Sequence, residues 1–448
     1  MSSSSATPKF RVAICGAGIG GLVLAITIDK FAECDVKIDL YEARDAIITA
    51  GAGISLGPHS TEIMEELGMH EEISRVSTKP SPSHGTMYRK SDGQEGGFEW
   101  FRQITNHPGR SRMQRQELID ILKQHLPASS TLHFNKRLTT YDKQSAGSLV
   151  LHFDDDSVAS TDVLIGADGI RSSVRKTLFE TIGRDVIDPS KIRHYADASW
   201  TGNSVYRALF PMEKLSEVDP NHVVLKGPVF FCGKGRHIFS YPVSQLINVV
   251  AFISDKKKAG TPFEGRWVSD VSREEVNEAF QNFEPAVKDL IKCCENPSRW
   301  AIHVVNELPL SICDRVALIG DACHAMLPHM GAGAGQAIED AFVLGRLLAH
   351  PLTTLDNVHA TLKVYQDVRL SVAQLLARQS EGMRCMHDFD ALGHYDGTDR
   401  GNEQEQLELL KGKILERRGW ESKGGAIAGW LKAERKLQES ITDARFRH

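Results

Sequence analysis

Apolar and polar residues recur along this chain with periods that change from segment to segment, and the changes divide it. "FRVAIC", from Phe10, is an unbroken apolar run of the kind that forms a buried strand. "GLVLAITIDKF" continues as a helix and "DVKIDLYE" reads as a second strand, so these segments predict a βαβ unit. "STEIMEELGM" then has helical spacing. From Thr131 to Gly169 apolar and polar residues alternate between turn clusters, which predicts a small antiparallel meander leading into a buried strand, Val163 to Gly166. Between Lys191 and Pro297 the runs become β-branched and aromatic ("SVYRALF", "VVLKGPVFF", "HIFSYPV", "LINVVAF"), predicting a second, sheet-based domain. "RVALIG", at Arg315, returns to the buried-strand texture of the start, so the first domain is expected to be discontinuous in sequence. After Pro351 two long segments, "NVHATLKVYQDVRLSVAQLLARQSEGM" and "EQEQLELLKGKILERRGW", have helical spacing. Met1 to Pro8, Ser-rich and without large apolar side chains, is expected to be a disordered tail.

Composition narrows the function classes. A chain of 448 residues exceeds what one core usually organises, so two or three domains are expected, with room to bury a cofactor. The net charge of −5 and the absence of a Lys/Arg-rich tract speak against nucleic acid. "DKKKAG", the densest basic run, reads as a solvated turn. Eight scattered cysteines form neither a C-x-x-C motif nor a secreted disulfide framework, which favours a reducing compartment. The uncharged run Val12 to Ile28 imitates a signal-peptide core, yet its four glycines between Gly16 and Gly21 fit a strand–turn–helix better. A cytoplasmic location without membrane attachment is therefore expected.

Within that strand–turn–helix, Gly16, Gly18 and Gly21 have G-x-G-x-x-G spacing. The first permits a tight turn, the second lets a pyrophosphate approach the backbone, and the third lets helix and strand pack closely. Glu42 ends the second strand, where a carboxylate can take both hydroxyls of an adenosine ribose. Two more strand ends carry acidic fingerprints: "DVLIGADGIRSSVR", with Asp168-Gly169 followed by Arg171, Ser172 and Arg175, and "GDACHAMLPHMGAGAGQAIEDA", with Gly320-Asp321. Cys323, His324 and His329 in the last stretch invite a metal reading, but no carboxylate-rich or C-x-x-C set accompanies them, so no metal is expected.

These three fingerprints, in this order and spacing from Phe10 to Arg378, resemble the class A FAD-dependent aromatic hydroxylases, the family of p-hydroxybenzoate and salicylate hydroxylases, with salicylate hydroxylase and related fungal phenol monooxygenases the nearest members. The resemblance implies an α/β fold: a Rossmann-like βαβ FAD-binding domain over 9–75, 110–190 and 300–350, an inserted mixed β-sheet substrate domain over 76–109 and 191–299, and C-terminal helices over 351–448. It also implies one long ligand rather than two nucleotide sites. FAD would have its adenosine end at Gly16 to Glu42 and its ribityl chain at Asp321. The helix opened by Gly331 to Gly335, at Gly333 and Ala334, would stabilise negative charge on the reduced flavin. Asp168 and Arg115 are implied as further FAD contacts. Arg44 and Gly53 are candidates too, although an exposed Arg and a turn Gly would look identical. Pro328 is implied to lie beside the flavin ring, its carbonyl turned to the oxygen chemistry. His329-Met330 departs from the Tyr-Gln of many relatives at the pocket wall.

On the substrate side Arg207 and Tyr241 match family positions that face the ring, against the blander reading of a ladder Arg and a core Tyr. The implied activity is hydroxylation of a phenol through a flavin C4a-hydroperoxide, with NADH or NADPH as transient electron donor and no second G-x-G-x-x-G unit to hold it. Arg207 would hold the phenolate, or a substrate carboxylate. Salicylate 1-hydroxylation, decarboxylative and giving catechol, is the leading expectation. Hydroxylation or dearomatisation of a substituted phenol in fungal secondary metabolism, a flavin-free NAD-linked dehydrogenase, and an FAD-binding sensor or scaffold are the alternatives. The expected partners are a small aromatic molecule and O2, with no nucleic acid or membrane, in a monomer or homodimer.

Overall fold

The structure is a computed structural model and describes residues 8–47, 53–77, 85–104, 111–145, 147–183, 185–422 and 424–446. The expected disordered tail, except for Pro8, lies outside the described residues.

The apolar runs of the first domain assemble as one six-stranded sheet, in the order Ile312–Cys313, Val316–Leu318, Val163–Gly166, Arg11–Cys15, Lys37–Tyr41, Thr131–His133. Every neighbouring pair is parallel except the first. Parallel strands buried on both faces need no alternation, which is why "VAIC" and "VLIG" are continuous apolar runs. Strands from both ends of the chain share this sheet, so the return of buried-strand texture at Arg315 does mark re-entry. The meander is present as Leu138–Lys143, Leu149–Phe153 and Val158–Thr161. One part of that expectation is corrected: Thr131–His133 does not belong to it but forms the edge of the parallel sheet beside Lys37–Tyr41. With only three residues, the strand is too short for its pattern to choose between the two sheets.

Two helices, Ile19–Phe31 and Gly333–Ala349, pack face to face on this sheet. A Cβ on Gly20 would meet Ala337 at 3.5 Å, and one on Gly345 would meet Thr27 at 2.7 Å. Residue numbers rise together along the contact, so the helices run parallel and both N-termini open at the same end.

The sheet-based region is an eight-stranded, mostly antiparallel sheet in the order Val268–Asp270, Ser298–Val304, Ser199–Pro211, Leu246–Ser254, Arg236–Val243, Val229–Gly233, Thr86–Lys90, Phe98–Gln103. One face is covered by the helices Met212–Val218, Arg273–Ala279 and Pro285–Lys292, whose apolar residues form a core with Phe210, Phe231 and Ile238. The other face is turned to the chemistry described below. "DKKKAG" forms an exposed turn in which Asp255 accepts a hydrogen bond from the Lys257 amide. The C-terminal helices are Val358–His387, Glu403–Arg418 and Ala426–Phe446. None of the helices among the described residues is long and apolar enough to cross a membrane.

Candidate active site

The glycine turn after Arg11–Cys15 has the geometry its spacing predicts. Gly16 adopts φ +104° and donates its N–H to the Tyr41 carbonyl at 2.8 Å; a Cβ there would lie 2.3 Å from the Ala167 oxygen. A Cβ on Gly21 would lie 2.0 Å from the Gly16 oxygen, whereas one on Gly18, at the N-terminus of Ile19–Phe31, would meet nothing within 4 Å. The outer two glycines are therefore required by packing, and the middle one leaves an open cradle at a helix N-terminus, the arrangement that suits a pyrophosphate. Glu42 is fixed over this turn: its Oε2 accepts the Ala17 N–H at 3.1 Å and its Oε1 the Arg44 N–H at 3.0 Å. Arg44 thus orients Glu42 through its backbone, while its side chain is exposed.

At the second glycine stretch, Gly320 turns the chain at φ +56° and Asp321 begins a short helix with its carboxylate exposed. The turn is fastened from below. Asp340 accepts the Gly320 N–H at 3.0 Å, pairs with His324 Nε2 at 2.5 Å and accepts Arg369 Nε at 2.9 Å; Arg369 also reaches Glu339 and Gln336. Burial pushes the Asp340 carboxyl up, but His324, Arg369 and the Gly320 amide outweigh it and hold it at about 2. A Cβ on Gly333, the first residue of the long helix, would meet nothing within 4 Å, with Ala334 beside it. Because the two long helices are parallel, Gly18 and Gly333 open at the same end of the sheet, so a single extended ligand can touch both stretches.

Asp168 follows Val163–Gly166, the strand that lies between Arg11–Cys15 and Val316–Leu318. Its Oδ2 accepts the Ser173 and Val174 amides at 2.8 and 3.2 Å, while its Oδ1 is buried without a hydrogen-bond partner among the described residues, and burial raises its carboxyl pKa. Arg175 of the same motif is buried and donates to the carbonyls of Ile170, Ala196 and Ala322, tying the mid-chain fingerprint to the residue after Asp321. The open cradle at Gly18, the oriented Glu42 and the orphaned Asp168 oxygen fit FAD.

Arg207 and Tyr241 lie on the open face of the eight-stranded sheet. Arg207 pairs across Val250 with Phe239, and Tyr241 pairs across Asn248 with Leu209, so the two side chains share a face one ladder step apart. Arg207 is half-buried, and burial lowers its guanidinium pKa; it sits 5.2 Å over the Trp300 ring. Among the described residues it makes no hydrogen bond or ion pair. Arg115, exposed at the start of Arg115–Gln124, adds a like charge nearby. Burial raises the Tyr241 pKa, so its hydroxyl stays protonated at neutral pH, and Gly53 lies directly against that hydroxyl.

Pro328 opens a turn, Pro328–Met330, and is exposed. Its carbonyl accepts the Gly331 N–H at 2.9 Å, so one of its lone pairs is already engaged by the turn. His329 does not point back toward His324 and Cys323. It is buried against Phe252 at 4.4 Å and His237 at 5.1 Å. Among the described residues no group of His, Cys, Asp or Glu is arranged to hold a metal ion.

Sequence reasoning missed His237 and His387. His237 gives Nδ1 to Asp388 at 2.6 Å, and His387 lies 5.0 Å from His237 and 4.4 Å from Phe230. Both nitrogens of His329 and of His387, and Nε2 of His237, are buried without partners among the described residues. Each such group costs about 1–3 kcal/mol. Burial holds His329 and His387 well below the usual histidine pKa, so both are neutral at neutral pH. The alternation in "RHIFSYPV" was the available signal, since it puts His237, Phe239 and Tyr241 on one face.

Comparison with known proteins agrees with this geometry. The FAD binding domain family matches residues 9–202 and 262–380. Salicylate hydroxylase of Pseudomonas putida is 35% identical over 373 residues, covering 81% of this chain and 82% of that protein. The 6-methylsalicylate 1-monooxygenase of Aspergillus terreus is 32% identical over 85% of this chain and 84% of its own length. A solved structure of a salicylate hydroxylase substrate complex superposes with a TM-score of 0.80 at 31% identity, over 95% of this chain and 98% of that one. The chain belongs to the FAD-dependent aromatic monooxygenases related to salicylate hydroxylase.

Proposed function

We propose that the protein uses NADH or NADPH and O2 to hydroxylate salicylate, or a ring-substituted salicylate, at the carbon bearing the carboxylate, releasing CO2 and leaving a catechol. The observation that carries this reading is Arg207, a half-buried guanidinium with no anionic partner among the described residues, on the sheet face that also presents Tyr241. A desolvated cation left unpaired is unfavourable for folding, and an anionic ligand relieves it. A guanidinium within about 4–6 Å lowers a phenol's pKa by roughly 1–3 units, making the ring electron-rich. Tyr241, neutral and buried, donates a hydrogen bond that fixes the ring's orientation, and Phe239, Val250 and Phe252 keep water from it.

FAD, when bound, carries electrons from the nicotinamide to oxygen and delivers one oxygen atom to the ring. The chain's own part is to hold that group: Gly16, Gly18, Gly21 and Glu42 at the adenosine end, with Arg44 orienting Glu42, and Asp168, Arg115, Asp321, Gly333 and Ala334 at the other. Pro328 borders the ring and Gly53 makes room for Tyr241. The relative that acts on 6-methylsalicylate favours extending the reading to substituted rings. We place the enzyme in the cytoplasm as a monomer or homodimer. Its domains are taken to be 9–75, 110–190 and 300–350 for FAD, 76–109 and 191–299 for substrate, and 351–448 for the C-terminal helices.

The test is an assay of NADH and NADPH oxidation over a panel of salicylates, hydroxybenzoates and phenols, with product analysis. Catechol and CO2 formed from salicylate support the reading. Oxidation that yields only hydrogen peroxide with every compound overturns it.

A further inference from the structure

The matched family region ends at residue 380, yet two polar side chains beyond it reach the substrate face of the sheet. His387, at the end of Val358–His387, is fully buried against Phe230 and has no partner for either nitrogen among the described residues. Arg418, at the end of Glu403–Arg418, lies 5.7 Å over the same Phe230 ring, with its Nε buried and unpartnered. Its charge is felt at both His387 and His329. No carboxylate among the described residues pairs with it.

The placement of Arg418 is built into the packing. A Cβ on Gly382 would lie 2.6 Å from the neighbouring Arg417 guanidinium, so this glycine is what lets Arg417 lie against Val358–His387. Two residues further on, Trp420 packs edge-on to His59 at 5.8 Å and lines a small pocket with Gly331 and Gly335. Residues 418–420 therefore run from the aromatic face to the second glycine stretch. Phe230 stacks on Phe239 at 4.2 Å, and Phe239 lies 5.0 Å from Tyr241, so the Phe230 corner and the Arg207–Tyr241 end lie at opposite ends of one aromatic row along the same sheet face.

We propose that Arg418 and His387 form a second anchoring corner of the substrate site, which receives an oxygen-bearing substituent, a hydroxyl or carboxylate, carried by the salicylate ring away from its acid–phenol pair. Arg418 can only donate hydrogen bonds, and a neutral imidazole donates from one nitrogen and accepts at the other, so the two together match an acceptor oxygen. A methyl group in that corner would leave the same nitrogens unpaired. The inference rests on the salicylate reading above and adds the substrate class: salicylates with a further oxygen substituent rather than an alkyl one.

The test uses the full-length FAD-loaded protein and isothermal titration calorimetry with salicylate and its 4- and 5-substituted hydroxyl, carboxyl and methyl derivatives. At one of the two positions an oxygen substituent is expected to bind about tenfold or more tighter than methyl, the size of one hydrogen bond to a charged group. Arg418→Met is expected to bring the pair to parity, Arg418→Lys to keep part of the preference, and His387→Phe, which keeps a ring in the packing, to reduce it. Methyl binding as tightly as hydroxyl and carboxyl at both positions would overturn the proposal, as would a preference that survives both Arg418→Met and His387→Phe. Salicylate itself keeps the two claims apart. If it binds but no preference exists, the corner alone fails; if it does not bind, the underlying reading fails with it.

Discussion

The hydroxyl of Tyr241 lies 2.8 Å from where a Cβ on Gly53 would stand, so the strands Gly53–Leu56 and Arg236–Val243 are set against each other with no room for a methyl group. Gly53 has no positive φ, and its need for glycine comes from this contact rather than from the turn. Gly53→Ala is expected to displace the Tyr241 hydroxyl and lower kcat/KM by about 10- to 100-fold, as sub-ångström to 1 Å misplacements do, while FAD is retained. Adding Tyr241→Phe removes the atom that clashes. Kinetics of the two single variants and the double variant should therefore be strongly non-additive. Additive losses would separate the two residues.

Glu42 makes no ion pair among the described residues and is held by two backbone amides, which leaves its remaining lone pairs for the ribose. Glu42→Ala should weaken FAD binding by about 10- to 100-fold, the equivalent of about 1.5–3 kcal/mol for hydrogen bonds to a charged group. Flavin fluorescence titration of the apoprotein reads this directly. Unchanged affinity would remove Glu42 from the site.

Asp340 predicts an acid limit to stability. Its carboxyl sits at about 2 in the folded protein, against about 3.9 for an ordinary Asp in the unfolded chain. A depressed folded pKa means that the stabilisation is complete above about pH 4 and is lost as pH falls toward 2, on the order of 2 kcal/mol in all. Asp340→Asn removes the charge facing buried Arg369 and should cost about 3–5 kcal/mol at neutral pH. Denaturant midpoints across this pH range for both proteins check it: the variant should be less stable at pH 7 and show a shallower acid decline.

The parts of the molecule legible in the sequence are those where one force dominates. The glycine turn was readable because Gly16 and Gly21 are fixed by backbone contacts no other residue permits, and the parallel strands because burial on both faces leaves an unbroken apolar run. Thr131–His133 was not, because three residues carry too little pattern to choose a sheet. Helix Ala426–Phe446 was legible only as part of the C-terminal helices over 351–448, and it docks through Ala426, Trp430, Ala433 and Leu437 on a surface made elsewhere in the chain. Arg207 and Tyr241 were singled out through family resemblance, and the structure puts them on one face of the sheet. His237 and His387 were not, because they lie far from His329 in sequence and meet it only through the packing of a strand, a turn and a helix end. Pro328, singled out by the same resemblance, uses its carbonyl to close a local turn, a role its sequence pattern does not signal.

The claim on which the functional account rests is that Arg207, which pairs with no carboxylate among the described residues, activates the substrate phenol, and the ratio of hydroxylated product to NAD(P)H consumed by Arg207→Gln tests it most directly. The measurement is made at saturating salicylate and at two pH values. If Arg207 stabilises a phenolate, the neutral variant should form less product per NAD(P)H and release the difference as hydrogen peroxide, and a more alkaline buffer should restore part of the coupling. Native coupling at both pH values would contradict the account, whether KM is unchanged, as for an exposed ladder residue, or raised, as for a residue that only anchors a carboxylate.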